Sequence, residues 1–420
     1  MVTLAQPPVL NLPLPLEAYG VDPLGGLLIY LALVVFLLTV LYTVGAPGWG
    51  QFLVLSFLLL VFALPLFAID NVAVFYFLWE LCALMCWAIG QNALGDSRDD
   101  NGVLPIQLAG GVGSLAVLAC LVVLHVNSGA TFSLSALRPE AAPWAAPVLL
   151  VAVLLKSLAL AGYAWRGGRQ PLAGASAALL MTAGISIIGI FPFAKLLIGV
   201  FGENADWREL CLWIGLVGAV VLALAALGED DVRRSVAYVA LVQVLLLFAG
   251  LALPYTQGLA GSLLILLGYT FASTTLFVAV SAAEQRAGER SLSKLGGLGA
   301  VAPGSAALFA VSGLALAGLP PLGPFVGQIV LASSLLRVQS PLPFVLYAAA
   351  VLLTVLCVLR LFRGLYLGPV AAAAVHSAGR RPSRLAALVL LPLLAAVALA
   401  GFAPFWATGV IEPVVSYLQR

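Results

Sequence analysis

Apolar runs of about twenty residues follow one another along most of this chain. A helix needs about 20 mainly apolar residues to cross a bilayer, so each such run is a candidate membrane span. Twelve runs have this character, at about 24–44, 51–69, 71–90, 106–126, 144–165, 173–199, 210–227, 233–252, 259–281, 301–336, 343–364 and 384–406. We therefore predict an all-α polytopic membrane protein with about twelve transmembrane crossings.

The composition excludes several classes of function. Of 420 residues, 63% are hydrophobic and 9% are charged, whereas soluble domains have roughly 25% charged residues. The net charge of +2 is too small to indicate nucleic-acid binding. The five cysteines and two histidines lack the spacing of a metal site, and no glycine-rich loop has the context of a phosphate site. We expect no cofactor, no metal and no catalytic site in this chain.

The run at 301–336 is too long for one regular helix, and Pro320-Pro321 lies at its middle. Proline lacks a backbone donor and cannot continue a helix. The run is therefore either two full crossings or one crossing made of two half-helices. Broken backbone at membrane depth is tolerated where protein or a water-filled cavity covers it.

The distribution of basic residues distinguishes these alternatives, because Lys and Arg are enriched in cytoplasmic loops. With the N-terminus outside and one crossing at 301–336, the inner loops hold twelve basic residues and the outer loops hold four. Two crossings there change the distribution to ten and six. We predict the broken helix, both termini outside, an extramembrane segment at 1–23, a transmembrane domain at 24–406 and a tail at 407–420.

Two charged residues stand deep inside apolar runs: Glu80 in VAVFYFLWELCALMCWAIG and Lys156 in APVLLVAVLLKSLALAGYAW. A charge at bilayer depth costs about 2.5–3.5 kcal/mol on insertion scales, and such residues usually face a bundle interior or a water path. One interior acid and one interior base indicate proton or ion handling. We expect Glu80 and Lys156 near the midplane on adjacent helices, in contact directly or through one water.

Five motifs in order resemble those of one family. They are Asp70-Asn71 with FYFLWEL, LLKSLALAGYAW, DDVRRSVAYVALVQ, LSKLGGL and GLALAGLPPLGPF. They are similar to motifs of the antiporter-like membrane subunits shared by respiratory complex I, Mrp-type cation/proton antiporters and membrane-bound hydrogenases. The resemblance implies two inverted five-helix repeats, each with a broken helix. The expected breaks are Pro320-Pro321 and the stretch after Lys156, through Gly162 and Trp165-Arg166-Gly167-Gly168.

The same resemblance implies site residues and shows departures. It places the family's buried glutamate at Glu80 and its central lysine at Lys156. Neutral residues occupy later charged positions: Met181, Ile187, Tyr269, Ser273 and Gln328. Ser, Gln and Tyr can hydrogen-bond water but cannot store a proton near neutral pH, whereas Ile and Met cannot orient water. We predict a proton pathway through Glu80, Lys156, Tyr269, Ser273 and Gln328, with the last three near the Pro320-Pro321 break.

Three functions follow from these observations. The first is a subunit of a redox-linked or cation/proton-translocating membrane complex, NADH/quinone oxidoreductase-like or hydrogenase-like, which contributes to proton translocation. The second is a non-pumping structural subunit of such a complex, and the third is a self-contained secondary transporter. The expected partners are other membrane subunits, protons or monovalent cations, and lipid, in a bacterial or archaeal inner membrane. The third function is disfavoured because few polar groups would line a substrate site.

Overall fold

The computed structural model describes residues 21–93, 103–165, 171–202, 205–369 and 404–419. These residues form helices without a strand. The helices are α1 (Pro23–Tyr42), α2 (Trp49–Leu66), α3 (Val72–Asn92), α4 (Val103–Asn127), α5 (Ala145–Ala164), α6 (Pro171–Leu179), α7 (Ala205–Gly228), α8 (Val232–Leu251), α9 (Thr256–Ala287), α10 (Leu298–Val301), α11 (Pro303–Leu316), α12 (Gly323–Leu335), α13 (Leu342–Tyr366) and α14 (Pro404–Leu418).

Ten helical segments in the described ranges are long and apolar enough to cross a membrane, which confirms the all-α membrane class. The last predicted run, 384–406, lies almost wholly outside the described residues. Only residues 404–406 of this run are described, and they begin α14. The predicted boundary between the transmembrane domain and the tail, at residues 406 and 407, falls within that helix.

Helices α11 and α12 form the predicted broken crossing. They have 14 and 13 residues, each fewer than the roughly 20 that a full crossing requires. At one end of the pair, Arg286 near the C-terminus of α9 donates to the carbonyl of Val301. At the other end, Tyr255 before the N-terminus of α9 donates to the carbonyl of Arg337. Because the two contacts lie at opposite ends of α9, residues 303–335 cross once.

Two matching loop contacts define opposite faces of the bundle. The Asp70 carboxylate accepts hydrogen bonds from the hydroxyl of Ser133 and from the backbone and hydroxyl of Ser135. The Asp230 carboxylate accepts the same three bonds from Ser291 and Ser293. Five crossings separate the two aspartates, so the first lies at one face and the second at the other. We call these the Asp70 face and the Asp230 face, and their relation is that of an inverted repeat.

The predicted break at Gly162 is wrong. Helix α5 continues regularly to Ala164, and Gly162 serves close packing: a Cβ there would lie 2.4 Å from the side chain of Ile106 on α4. Trp165 forms the turn after α5, whereas Arg166, Gly167 and Gly168 lie outside the described residues.

The irregular backbone of the first half lies in the next crossing. After α6 the chain continues as three π-helical stretches, Leu180–Gly184, Ser186–Ile190 and Phe193–Ile198. We call residues 180–198 the π segment. A π-helix closes i→i+5 hydrogen bonds and is frequent at functional sites. Almost every side chain of the segment is buried, so its widened turns face protein.

Candidate functional site

Glu80 and Lys156 meet between α3 and α5. The ammonium of Lys156 lies 2.5 Å from Glu80 Oε1 and 2.7 Å from the hydroxyl of Ser114 on α4. The Ser114 hydroxyl in turn has two acceptors for its proton, Glu80 Oε2 at 3.2 Å and the carbonyl of Gly110 at 3.1 Å. The lysine Nζ also lies 3.9 Å from the ring centroid of Trp79, where a cation is attracted by the aromatic face. Three helices thus converge on one acid, one base and one hydroxyl.

Small residues on α4 bring these helices together. A Cβ at Gly113 would lie 2.9 Å from the carbonyl oxygen of Ala152 and 3.6 Å from Cβ of Lys156. Only glycine allows α5 to approach so closely, as in other membrane helix contacts. The same approach places Ser114 against the ion pair. Sequence analysis missed Ser114, although its position in the small-residue stretch GGVGS could have indicated a helix interface.

The acid and the base differ in exposure. The Lys156 side chain is 6% exposed and that of Glu80 is 31% exposed within this chain. A cavity of about 310 Å³ lies beside the pair, and its lining includes Glu80, Gln107, Gly111, Ser114, Lys156 and Tyr163. Both side chains therefore line the cavity, but the lysine is nearly enclosed by the bundle, whereas the carboxylate is partly exposed.

Tyr269 and Ser273 lie on α9, which is buried along its length. We predicted Tyr269 near the Pro320-Pro321 break, but its hydroxyl donates to the carbonyl of Met181 in the π segment. The Ser273 hydroxyl is buried without a hydrogen-bond partner among the described residues.

Gln328 on α12 does lie at the break. Its side-chain oxygen occupies the space beside Gly318, where a Cβ would be 1.7 Å away, and Gly318 has a φ of +72°. Its side-chain amide nitrogen donates to Gln243 Oε1 at 2.9 Å. The Tyr347 hydroxyl donates to the backbone carbonyl of Gln328. The second half of the bundle thus has a neutral amide pair at its broken helix.

Met181 and Ile187 are both completely buried in the π segment. Trp79, which stacks on Lys156, donates its indole N–H to the carbonyl of Ile188 at 3.1 Å. The apolar side chains of the π segment thus lie directly beside the ion-pair site.

A second interior ion pair escaped sequence analysis. Arg233 at the start of α8 contacts Glu284 near the end of α9, and their side chains are 1% and 0% exposed. Arg290 Nε lies 3.8 Å from the same Glu284 oxygen. The twelve basic residues counted in the inner loops include Arg233 and Arg290. The polar stretch AAEQRAGER does not indicate that Glu284 is enclosed. The pair lies at the Asp230 face.

No group of three His, Cys, Asp or Glu side chains in the described parts of the chain could hold a metal ion. The cysteines are free and buried.

Known proteins are similar to this chain in sequence and in structure. The sequence profile of the family described as NADH:quinone oxidoreductase/Mrp antiporter, TM, matches residues 69–356. NADH-quinone oxidoreductase subunit M of Mycobacterium tuberculosis H37Rv is 28% identical over 243 residues, which are 57% of this chain and 43% of that protein. Hydrogenase-4 component B of Escherichia coli K12 is 25% identical over 381 residues, 84% of this chain and 56% of that protein. The chain thus spans about half the length of these relatives.

Solved structures share the fold. A chain of the Mrp complex from Dietzia sp. superposes with a TM-score of 0.84 at 18% identity, covering 96% of this chain and 84% of that one. A chain of respiratory complex I from Thermus thermophilus gives a TM-score of 0.80 at 23% identity, with coverage of 96% and 85%.

Proposed function

The chain belongs to the NADH:quinone oxidoreductase/Mrp antiporter transmembrane family, and from this membership we propose that it is an antiporter-like subunit of a multi-subunit redox-linked or cation/proton-translocating membrane complex. We propose further that it contributes to proton translocation through Glu80 and Lys156. Other membrane subunits and protons or monovalent cations are its proposed partners. The proposed location is a bacterial or archaeal inner membrane, with both termini outside.

The observation that carries this proposal is the contact of Glu80, Lys156 and Ser114 at the centre of three apolar helices. A carboxylate beside an ammonium favours the charged form of both groups. When the ammonium loses its proton, the carboxylate loses its partner, so a change of charge at one group is transmitted to the other. Ser114 contacts both and is able to relay a proton between them or to a water in the cavity.

The exposure of Glu80 supports the proposal of a partner subunit. Around this carboxylate the surface is apolar, because Leu84 is 48% exposed and Trp87 is 37% exposed. A charged side chain in contact with lipid tails is costly, and such residues normally face protein or water. We propose that a helix of a neighbouring subunit covers the cavity beside Glu80.

A non-pumping structural role is the second candidate. It is favoured by the complete burial of Met181 and Ile187 and by the neutral pair of Gln243 and Gln328. None of these four side chains takes up or releases a proton near neutral pH. In that case Glu80 and Lys156 hold α3 to α5 and nothing more.

Charge-removing variants of similar volume distinguish the two candidates. Glu80→Gln and Lys156→Met should be made in the native complex, purified with all its subunits and reconstituted into vesicles. If the chain translocates protons, both variants assemble but lose proton uptake or release, while the partner chemistry of the complex persists. Undiminished translocation by assembled variants would establish the structural role.

A further inference from the structure

Lys195 is not a residue of the proposed pathway, but its side chain has several polar contacts. It is one of three lysines in the chain, with Lys156 and Lys294, and it lies in the last stretch of the π segment. Its ammonium contacts the carboxylate of Asp22, just before α1, and the hydroxyl of Tyr417 on α14 at 3.1 Å. The Lys195 side chain is 21% exposed, and that of Asp22 is 8% exposed.

One side of Lys195 faces a large cavity at the Asp70 face. The cavity has a volume of about 1400 Å³, and its lining includes Asp70, Ser135, Lys195, Arg208, Tyr255 and Tyr417. The lining is mixed: apolar side chains alternate with charged and hydroxyl groups from several helices. These polar groups provide the hydrogen-bond partners that a water needs in a cavity of this size. The Lys195 ammonium is therefore placed to exchange protons with that water.

The other side of the π segment touches the site of Lys156. A Cβ at Gly189 would lie 2.4 Å from the hydroxyl of Ser157, the residue after Lys156. The carbonyl of Ile188 accepts the hydrogen bond of Trp79, whose ring lies under the Lys156 ammonium. The same short segment thus contacts Trp79 and Ser157, the neighbours of the interior ion pair, at residues 188–189 and lines the cavity at residue 195.

We propose that Lys195 is the proton-exchange site at the Asp70 face of this chain. Its ammonium releases a proton to cavity water, and the neutral amine takes up a proton that arrives from the side of Lys156. Asp22 provides the countercharge and Tyr417 a second hydrogen-bond partner that hold the amine at the edge of the cavity. The inference rests on the proposed translocation of protons through this chain.

A purely structural role makes a different prediction. Asp22, Lys195 and Tyr417 also connect α1, the π segment and α14, so the lysine could simply hold these elements together. Arginine separates the two roles, because its guanidinium keeps an ion pair with Asp22 but is not deprotonated in proteins. A structural lysine is replaced by arginine without loss of transport, whereas a proton-exchanging lysine is not.

The first experiment uses the complete reconstituted complex with Lys195→Arg and Lys195→Met. We expect both variants to lose proton translocation by about tenfold or more, as for removal of a general acid–base group. Wild-type translocation by Lys195→Arg would overturn the inference. Glu80→Gln in parallel separates the two hypotheses. If Glu80→Gln abolishes transport and Lys195→Arg does not, only the inference fails; if neither has an effect, the proposed function fails as well.

The second experiment does not depend on transport or on variants. Pulse acetylation of the wild-type complex with acetic anhydride over a series of pH values, read by mass spectrometry, compares the three lysines. Lys294 is exposed and provides the fast reference, whereas Lys156 is enclosed and provides the slow one. Lys195 should react through the cavity at a rate between them that falls as the pH is lowered. Protection of Lys195 equal to that of Lys156 would contradict its access to cavity water.

Discussion

The Lys156 ammonium lies 2.5 Å from the Glu80 carboxylate, and the two side chains differ in exposure, 6% for the lysine and 31% for the glutamate. Both line the same cavity, but the acid is much more accessible from outside the chain than the base. The two side chains have different neighbours. The acid responds to whatever lies against α3 and α4, whereas the base responds to the Trp79 ring and the π segment.

Ser114 should matter as much as a charged residue. Ser114→Ala removes the acceptor for Lys156 and the donor for Glu80, so two charge-assisted contacts are lost. Hydrogen bonds to charged groups contribute about 1.5–3 kcal/mol each. We expect reduced proton translocation in the assembled complex, with lower thermal stability of the purified complex.

The matched control is Ser157→Ala on α5. Ser157 is buried, whereas Ser114 is half-buried. The Ser157 hydroxyl donates within its own helix to the carbonyl of Val153 and does not contact the ion pair. We expect its translocation to equal that of wild type. An equal loss in both serine variants would show that burial of a hydroxyl, and not contact with the ion pair, determines the effect.

The close approach of α4 and α5 predicts opposite effects at two nearby glycines. Gly113→Ala places a methyl group 2.9 Å from the carbonyl oxygen of Ala152, whereas a methyl group at Gly111 meets no atom within 4 Å. Overpacking typically costs about 1–3 kcal/mol, whereas alanine in an open helical position is favoured over glycine by about 1 kcal/mol. Thermal unfolding in detergent should show a lower midpoint for Gly113→Ala and an equal or higher one for Gly111→Ala.

The Asp230 contact predicts a defined pH dependence. Hydrogen bonds from Ser291, then from Ser293, lower the pKa of Asp230 from its ordinary value of 3.8. Because the pKa is lower in the folded state, the stabilisation is fully present above pH 3.8 and is lost as the pH falls through the lowered pKa. Ser291→Ala should raise the pKa of Asp230 toward its ordinary value, so the loss of stability should be smaller and should be complete at a higher pH.

The measurement is the unfolding midpoint of the detergent-solubilised protein between about pH 2 and pH 6, a range that includes ordinary carboxyl pKa values. Asp230→Asn removes the titrating group and provides the control, since its residual pH dependence comes from all other groups. Identical pH profiles for wild type, Ser291→Ala and Asp230→Asn would show that this contact contributes nothing.

Most of the helices could be predicted from the sequence, because a membrane span is recognised by its length and apolar composition alone. Lipid leaves few alternatives, so the runs at 71–90 and 144–165 could be assigned to α3 and α5 without knowledge of packing. The Pro320-Pro321 break was also predictable, because proline removes a backbone donor. The π segment was not predicted, although Gly184, Gly189 and Pro192 are poor helix formers that could have indicated irregular backbone there. The segment packs against α5 and α9, and sequence periodicity does not contain these contacts.

The enclosed pair of Arg233 and Glu284 was missed for a related reason. Both residues stand at helix ends in polar stretches, and such residues normally reach water. Here α9 continues for 32 residues, so that its final turns remain covered by neighbouring helices. Burial at this position is a consequence of tertiary packing and has no signature in local composition.

The same pair gives a prediction that depends only on burial. Arg233→Met removes the nearest basic partner of the enclosed Glu284, with Arg290 Nε remaining at 3.8 Å, and Glu284→Gln removes the carboxylate that Arg233 contacts. Removing one partner of a buried pair costs about 3–5 kcal/mol, whereas replacing both partners costs less. In a double-mutant cycle, Arg233→Met/Glu284→Gln should therefore be more stable than the sum of the single variants indicates.

The control is the pair of Arg234 and Glu229, in which the arginine is 46% exposed and a contribution of at most about 1 kcal/mol is expected. Equal coupling in the two cycles would mean that enclosure within α8 and α9 does not strengthen the first pair.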